Sequence, residues 1–193
     1  MTRLVTWLAR ATAILGGLVL IALIVLMTLS IIGRFLNNIF HTEFAQSAFG
    51  GLSNWAINAG VGEINGSYEL LEAGVAFAIF AFFPVCQLYS GHATVDVFTS
   101  GLRPRALAVL RAFWEVVLAA TIVFLTARLA DGMMRYVNNG ETTLFLQFPV
   151  WWTYAASVAA ATVASVTAVY CAGARVAEVV LGRAILPNDP MGE

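Results

Sequence analysis

The sequence predicts an all-α integral membrane protein with four transmembrane helices. The chain is 60% hydrophobic, has a mean hydropathy of +0.84 and is only 11% charged, a composition that a soluble domain of 193 residues does not have. A helix needs roughly 20 apolar residues to cross the hydrocarbon core. Four segments meet this length: residues 12–33, 68–90, 106–130 and 149–174.

The first segment is predicted to be a retained anchor. Arg3 and Arg10 precede an apolar run that is long for a signal peptide, and no small-x-small cleavage site follows it. We therefore expect one four-helix domain over residues 1–180, followed by a short cytoplasmic tail over residues 181–193.

The second segment begins with two acidic residues. Ser67 is predicted to cap the helix, and Glu69 and Glu72 fall in its first turns, where the partial positive charge of a helix N-terminus favours carboxylates. This pattern fits a structural role and a functional role equally well.

The stretch GHATVDVF, residues 91–98, follows the second segment. From Gly91 the spacing predicts an amphipathic segment on the inner membrane surface. Its apolar face carries Val95, Phe98 and Leu102, and its polar face carries His92, Asp96, Thr99 and Arg103. His92 and Asp96 stand four residues apart and can form a hydrogen-bonded pair or brace a partner's loop. Without a nucleophile or a metal partner they do not form a catalytic site.

Charged residues enter the third segment only near its ends, after Pro104 in the first turn. Arg111 and Glu115 are four residues apart at one end. At the other end Arg128, Asp131 and Arg135 share one helix face. These groups are predicted to form interfacial ion pairs or to bind a partner.

The fourth segment has an alanine at every fourth position. The repeat consists of Ala156, Ala160, Ala164, Ala168 and Ala172. Small residues let helix backbones approach closely in lipid. The stripe is therefore predicted to be a contact face, either inside this chain or against another subunit.

The arginines indicate the orientation and several function classes are excluded. Seven of the ten basic residues lie at the two termini, between the second and third segments, or at the start of the third segment, which places both termini and GHATVDVF in the cytoplasm. His41 and His92 then lie on opposite sides of the membrane and cannot share a metal or a haem. Cys86 and Cys171 form no C-x-x-C motif, so the chain lacks the active-site pair of a membrane thiol oxidase. The arginines are scattered rather than clustered, so nucleic-acid binding is not favoured. We predict no catalytic, cofactor or metal site.

Four motifs together resemble a known family. They are IGRF at the end of the first segment, YELLE at the start of the second, GHATVDVF after it, and TTLFLQFPVWW before the fourth. In this order the motifs resemble the small membrane subunit of tripartite ATP-independent periplasmic (TRAP) transporters, the DctQ-type family. The resemblance covers nearly the whole chain.

The resemblance implies a role in secondary transport across the bacterial inner membrane. It implies a scaffold subunit that works with a large permease subunit and a periplasmic substrate-binding protein to import organic acids or related solutes with a sodium gradient, in contact with membrane lipids. The corresponding positions are Arg34, Glu69, His92, Asp96 and Pro149, with Trp151 beside the last. All are expected to be structural or interface residues.

Two questions stay open at this point. The connection from Leu36 to Gly66 is long and carries Phe44, Ala48, Leu52 and Trp55 at helical spacing, which predicts an interfacial helix on the periplasmic side. That helix either covers the outer rim or contacts the binding protein. The alternative function is a four-helix scaffold or assembly subunit of another membrane complex. A membrane enzyme or small exporter that acts alone is a further alternative, which the sequence disfavours.

Overall fold

The computed structural model describes residues 2–89 and 103–181, and these residues form five helices. In chain order the helices are α1 (Thr2–Phe40), α2 (Glu43–Asn58), α3 (Ser67–Leu88), α4 (Pro104–Asn139) and α5 (Trp151–Leu181). All except α2 are long and apolar enough to cross a membrane. The predicted fold class, an all-α membrane protein with four candidate spans, is confirmed.

The four long helices form a row rather than a closed bundle. The helix α3 packs between α1 and α5, and α5 packs between α3 and α4, with a smaller contact between α1 and α5. Among the described residues, no Cα atom of α4 lies within 8 Å of a Cα atom of α1 or α3. The order across the row is therefore α1, α3, α5, α4, and a groove remains over α5 between α3 and α4.

Small residues set the spacing between α1 and α3. A Cβ atom on Gly16 would lie 2.9 Å from Ala81 Cβ, and one on Gly74 would lie 2.6 Å from Leu23 Cδ1. Neither space admits a methyl group without movement of the neighbour. The two helices therefore pack as closely as small residues allow, which is the main source of helix association in lipid.

The alanine stripe of α5 packs inside the chain. Ala164, Ala168 and Ala172 form one core cluster with Ala119 and Ile122 of α4. Ala160 is buried as well, whereas Ala156 is exposed. Four of the five alanines of the stripe are thus covered within this chain, which favours the internal contact over contact with another subunit.

Three of the four long helices, α1, α4 and α5, are longer than the predicted spans. The helix α1 begins at Thr2 and ends at Phe40, and α4 continues to Asn139 before Gly140, with a φ of 65°, ends it. Hydropathy detects only the apolar part of a helix, whereas arginine favours helix almost as well as leucine does. The charged ends that bounded the predicted spans are therefore helical too.

The predicted helix between the first two spans is present as α2. Ser53 is fully buried, and its Oγ donates a hydrogen bond to the backbone oxygen of Phe40 at 2.6 Å, which ties α2 to the end of α1. Trp55 is 67% exposed. Its position at a membrane surface stays a prediction.

Candidate functional site at the loop end

The two ends of the row differ in what they contain. We call "loop end" the end formed by the close of α1, the start of α3 and residues 132–154, and "terminal end" the opposite end, with the start of α1 and the close of α3 and α5. Three of the five family-related positions lie at the loop end: Arg34, Glu69 and Pro149. His92 and Asp96 lie outside the described residues.

Glu69 binds the backbone of the loop between α4 and α5. Its two carboxylate oxygens accept hydrogen bonds from the backbone N–H groups of Phe145, at 2.8 Å, and Leu146, at 3.1 Å. Glu69 lies in the first turn of α3, as predicted. Its bonded partner, however, is a loop that is 76 residues away in the sequence, so sequence spacing alone could not have identified it.

The predicted N-cap of α3 was wrong. Gly66, with a φ of 79°, occupies the cap position and makes no side-chain cap hydrogen bond. Ser67 is already helical and fully buried. Its hydroxyl lies 3.2 Å from the Ser30 hydroxyl of α1, so tertiary contact with α1 displaced the local capping role.

The end of α1 is fixed to the segment before α3. A Cβ atom on Gly33 would lie 2.1 Å from the backbone oxygen of Gly62, and Ser30 Oγ accepts a hydrogen bond from the backbone N–H of Ile64 at 3.2 Å. Arg34 forms an ion pair with Glu63 at 3.6 Å, and both side chains are partly exposed. Sequence reasoning singled out Arg34 but missed Gly33, although a glycine in an apolar helix was a signal for close approach.

The loop between α4 and α5 is a short folded hairpin. Thr142 and Pro149 form an isolated antiparallel bridge, supported by the hydrogen bond from Thr143 N–H to the Phe148 oxygen at 2.9 Å. Gln147 has a φ of 52°, and Leu146 packs onto Gly66 so closely that a Cβ there would lie 2.5 Å from Leu146 Cγ. The family-related Pro149 therefore belongs to a loop whose position is fixed by several contacts.

Apolar side chains project from this hairpin. Leu144 is 79% exposed and Phe145 is 64% exposed. Trp151 begins α5, and its ring meets that of Trp152 edge to face at 6.1 Å. Tryptophan is enriched at membrane–water interfaces, so this end of α5 has the composition expected at the edge of a bilayer.

A cavity of about 360 Å³ lies behind the hairpin, between α3, α4 and α5. Its polar lining consists of Glu69, Glu72, Tyr136, Thr143, Thr153, Tyr154 and Ser157. The rings of Tyr136 and Tyr154 lie 4.8 Å apart between centroids. The cavity occupies the loop end of the groove over α5. Of its lining residues the sequence analysis singled out Glu69 and Glu72, but not the cavity itself.

The charged face near the close of α4 is only partly paired. Arg128 lies 3.6 Å from Asp131, and both side chains are 64% exposed. Arg128 also lies over the Phe124 ring at 6.0 Å. Arg135 forms no ion pair within residues 2–89 and 103–181. The predicted three-residue face therefore contains a single ion pair.

At the terminal end, Arg111 and Glu115 form no ion pair with each other in the described residues, and the other predicted role, binding to a partner, stays a prediction. Glu115 instead accepts a hydrogen bond from the side-chain amide of Gln87, which links α4 to α3 across the groove. Gln87 is 2% exposed, and a buried amide needs a partner, whereas an exposed arginine can be solvated by water. The nearby pairs are Arg10 with the Tyr89 hydroxyl, at 2.8 Å, and Arg175 with Glu178, at 3.0 Å.

Both cysteines have free thiols. Cys171 is fully buried in a cluster with Ala9, Leu88 and Ala174, and Cys86 is partly buried. Within the described ranges, no group of three histidine, cysteine or acidic residues is arranged to hold a metal ion.

A family model covers most of the folded chain. The model described as "Tripartite ATP-independent periplasmic transporters, DctQ component" matches residues 60–180, which include α3, α4 and all but the last residue of α5. Neither a curated protein nor a solved structure matches the chain.

Proposed function

We propose, from the premise that this chain belongs to the DctQ component family of the tripartite ATP-independent periplasmic transporters, that it is the fixed scaffold subunit of such a transporter. It pairs with a large permease subunit in the bacterial inner membrane and receives a periplasmic substrate-binding protein. The large subunit carries the solute, which is an organic acid or a related compound, and couples it to a sodium gradient.

The scaffold role is supported by the contacts that the family-related residues make within the chain. Glu69 accepts hydrogen bonds from two backbone N–H groups of the hairpin. Arg34 forms an ion pair with Glu63, and Pro149 forms the hairpin's bridge with Thr142. A transport pathway would be expected to keep ionisable groups or broken helices at the middle of the membrane. In this chain the family-related groups that the structure describes hold the fold together at one end of it.

The outer edges of the row support a role beside a larger membrane subunit. The exposed sides of α1 and α4 carry large apolar residues, among them Ile14, Leu18 and Phe35 on α1, and Phe113 and Phe124 on α4. A row of four helices offers a broad apolar surface to lipid and to another membrane protein. A closed four-helix bundle would offer a smaller apolar surface.

Affinity purification of the tagged chain from native membranes tests the proposal. We expect a large polytopic permease to co-purify, and uptake of its solute to stop when this chain is deleted and to return when it is restored. A tagged four-helix membrane protein from another family is the control. Purification with a different complex would favour the alternative scaffold role, and solute transport by the reconstituted chain alone would contradict the proposal.

The orientation that goes with this role has its own test. We expect both termini in the cytoplasm, because seven of the ten basic residues lie on that side. In a background without Cys86 and Cys171, an impermeant thiol reagent added to intact cells should label Asn138→Cys and leave Ser100→Cys unlabelled. The reverse labelling pattern would overturn the topology.

A further inference from the structure

The cavity at the loop end has an acidic lining without a matching cation. Glu69 and Glu72 both line it, and none of its lining residues is basic. The carboxylate of Glu69 is occupied by the hairpin's backbone. Glu72 takes part in no hydrogen bond or ion pair within the described part of the chain. One carboxylate therefore faces the cavity with its charge unmatched.

One hydroxyl group in the cavity also lacks a hydrogen-bond partner. Ser157 is 2% exposed, lies on the α5 floor of the cavity, and forms no side-chain hydrogen bond within the described residues. The Thr143 hydroxyl, in contrast, interacts with the Glu69 carboxylate. A nearly buried hydroxyl without a partner is costly, so Ser157 indicates that a polar group binds in the cavity.

The rings of Tyr136 and Tyr154 identify the charge of that group. They line the same cavity and lie 4.8 Å apart between centroids. Aromatic faces attract ammonium and guanidinium groups, and Arg and Lys donate hydrogen bonds without accepting any. The Glu72 carboxylate, the free hydroxyl oxygen of Ser157 and two phenol rings form a set that is complementary to an organic cation and repels an organic acid.

We propose that this cavity binds the ammonium or guanidinium group of a basic side chain from another subunit of the transporter. The cavity volume of about 360 Å³ lies at the lower end of the range for ligand sites. The cavity opens at the end of the groove where α3 and α4 are not packed on each other, so a side chain can enter from a neighbouring protein. This inference rests on the proposed function, because it supplies the chemistry of the partner.

Binding of n-butylguanidinium to the isolated chain, measured by ligand-detected NMR, tests the chemistry of the cavity. We expect binding of n-butylguanidinium without comparable binding of n-butanol, and a loss of affinity of about tenfold for Glu72→Gln. Glu141→Gln is the matched control, since Glu141 is an exposed acid of the same end and does not line the cavity. Equal binding of the two probes, or unchanged affinity in Glu72→Gln, would overturn the cation site. Ser157→Ala is a second test variant, for which we expect a smaller loss of affinity than for Glu72→Gln.

The source of the cation is tested with the assembled complex. The purified complex should not bind n-butylguanidinium, because a partner's side chain already occupies the cavity. Binding by the complex that equals binding by the isolated chain would overturn the partner assignment. Competition by phosphatidylethanolamine nanodiscs, absent with phosphatidylglycerol nanodiscs, would assign the cavity to a lipid amine and overturn it as well. If no complex can be purified while the isolated chain binds the probe, the proposed function fails and the cation site stands.

Discussion

The loop end and the terminal end are held together by different kinds of contact. At the loop end, backbone groups take part directly: Gly33 meets the Gly62 oxygen, and Glu69 binds the N–H groups of Phe145 and Leu146. At the terminal end, the contacts named above join long side chains to each other, as in Gln87 with Glu115. Backbone contacts fix position to a fraction of an ångström, whereas long side chains can adjust. The positions of the groups at the loop end are therefore fixed more closely than those at the terminal end.

The largest expected effect is at Gly33. Its missing Cβ would lie 2.1 Å from the Gly62 oxygen and 3.0 Å from the Gly62 carbon, and backbone atoms cannot swing away as a side chain can. We expect Gly33→Ala to destabilise the isolated chain by about 3 kcal/mol, measured as loss of the monomer peak in size-exclusion chromatography after heating in detergent.

Gly17→Ala is the matched control for Gly33→Ala. Gly17 lies in the same helix, and a Cβ there would meet nothing within 4 Å. Because alanine favours helix over glycine by about 1 kcal/mol, this variant should be as stable as the parent or more stable. Equal stability of the two variants would mean that the contact at Gly33 is not tight, and the contrast between the two ends would be lost.

A smaller effect is expected at the terminal end, for Gln87→Leu. Gln87 is 2% exposed and its amide donates to Glu115, so the substitution removes a donor from a partly buried carboxylate. We expect a loss of about 1 to 3 kcal/mol, in the same thermal assay. Glu115→Gln keeps an acceptor for the amide and should lose less. A loss for Gln87→Leu as large as that for Gly33→Ala would show that the two ends are equally demanding.

Glu69→Ala is expected to act locally on the hairpin. Without the carboxylate, the N–H groups of Phe145 and Leu146 lose their acceptors, so their hydrogen exchange should become faster, while that of α5 beyond Ser157 stays unchanged. Hydrogen exchange with mass spectrometry measures both. Glu141→Ala is the control, because Glu141 is an acid of the same loop that does not accept these hydrogen bonds. Faster exchange throughout α5 would mean that Glu69 supports the whole end and not only the hairpin.

The fold was predictable from the sequence to the extent that it depends on local pattern. The four apolar runs predicted the four candidate spans, and helical spacing in the long first connection predicted α2. The contacts at the loop end were not predictable, because Glu69 binds a loop far along the chain and Ser67 turns towards Ser30 instead of capping its own helix. The same holds for Glu115, which stands four residues after Arg111 but binds Gln87 on another helix. Spacing rules find neighbours on one helix, whereas these choices depend on which helices pack together.

The smallest effect is expected for the ion pair that spacing did predict. Arg128 and Asp131 lie 3.6 Å apart with both side chains 64% exposed, so water and salt screen their attraction, and an exposed pair contributes about 0.2 to 1 kcal/mol. Asp131→Asn should therefore lower the stability of the isolated chain by less than about 0.5 kcal/mol. Arg135→Gln is the matched control, since Arg135 belongs to the same helix end and has no ion pair in the described residues. If instead Asp131→Asn leaves the isolated chain unaffected but reduces recovery of the large subunit while Arg135→Gln does not, then Asp131 belongs to the interface, and the loop end carries a second contact beside the cavity.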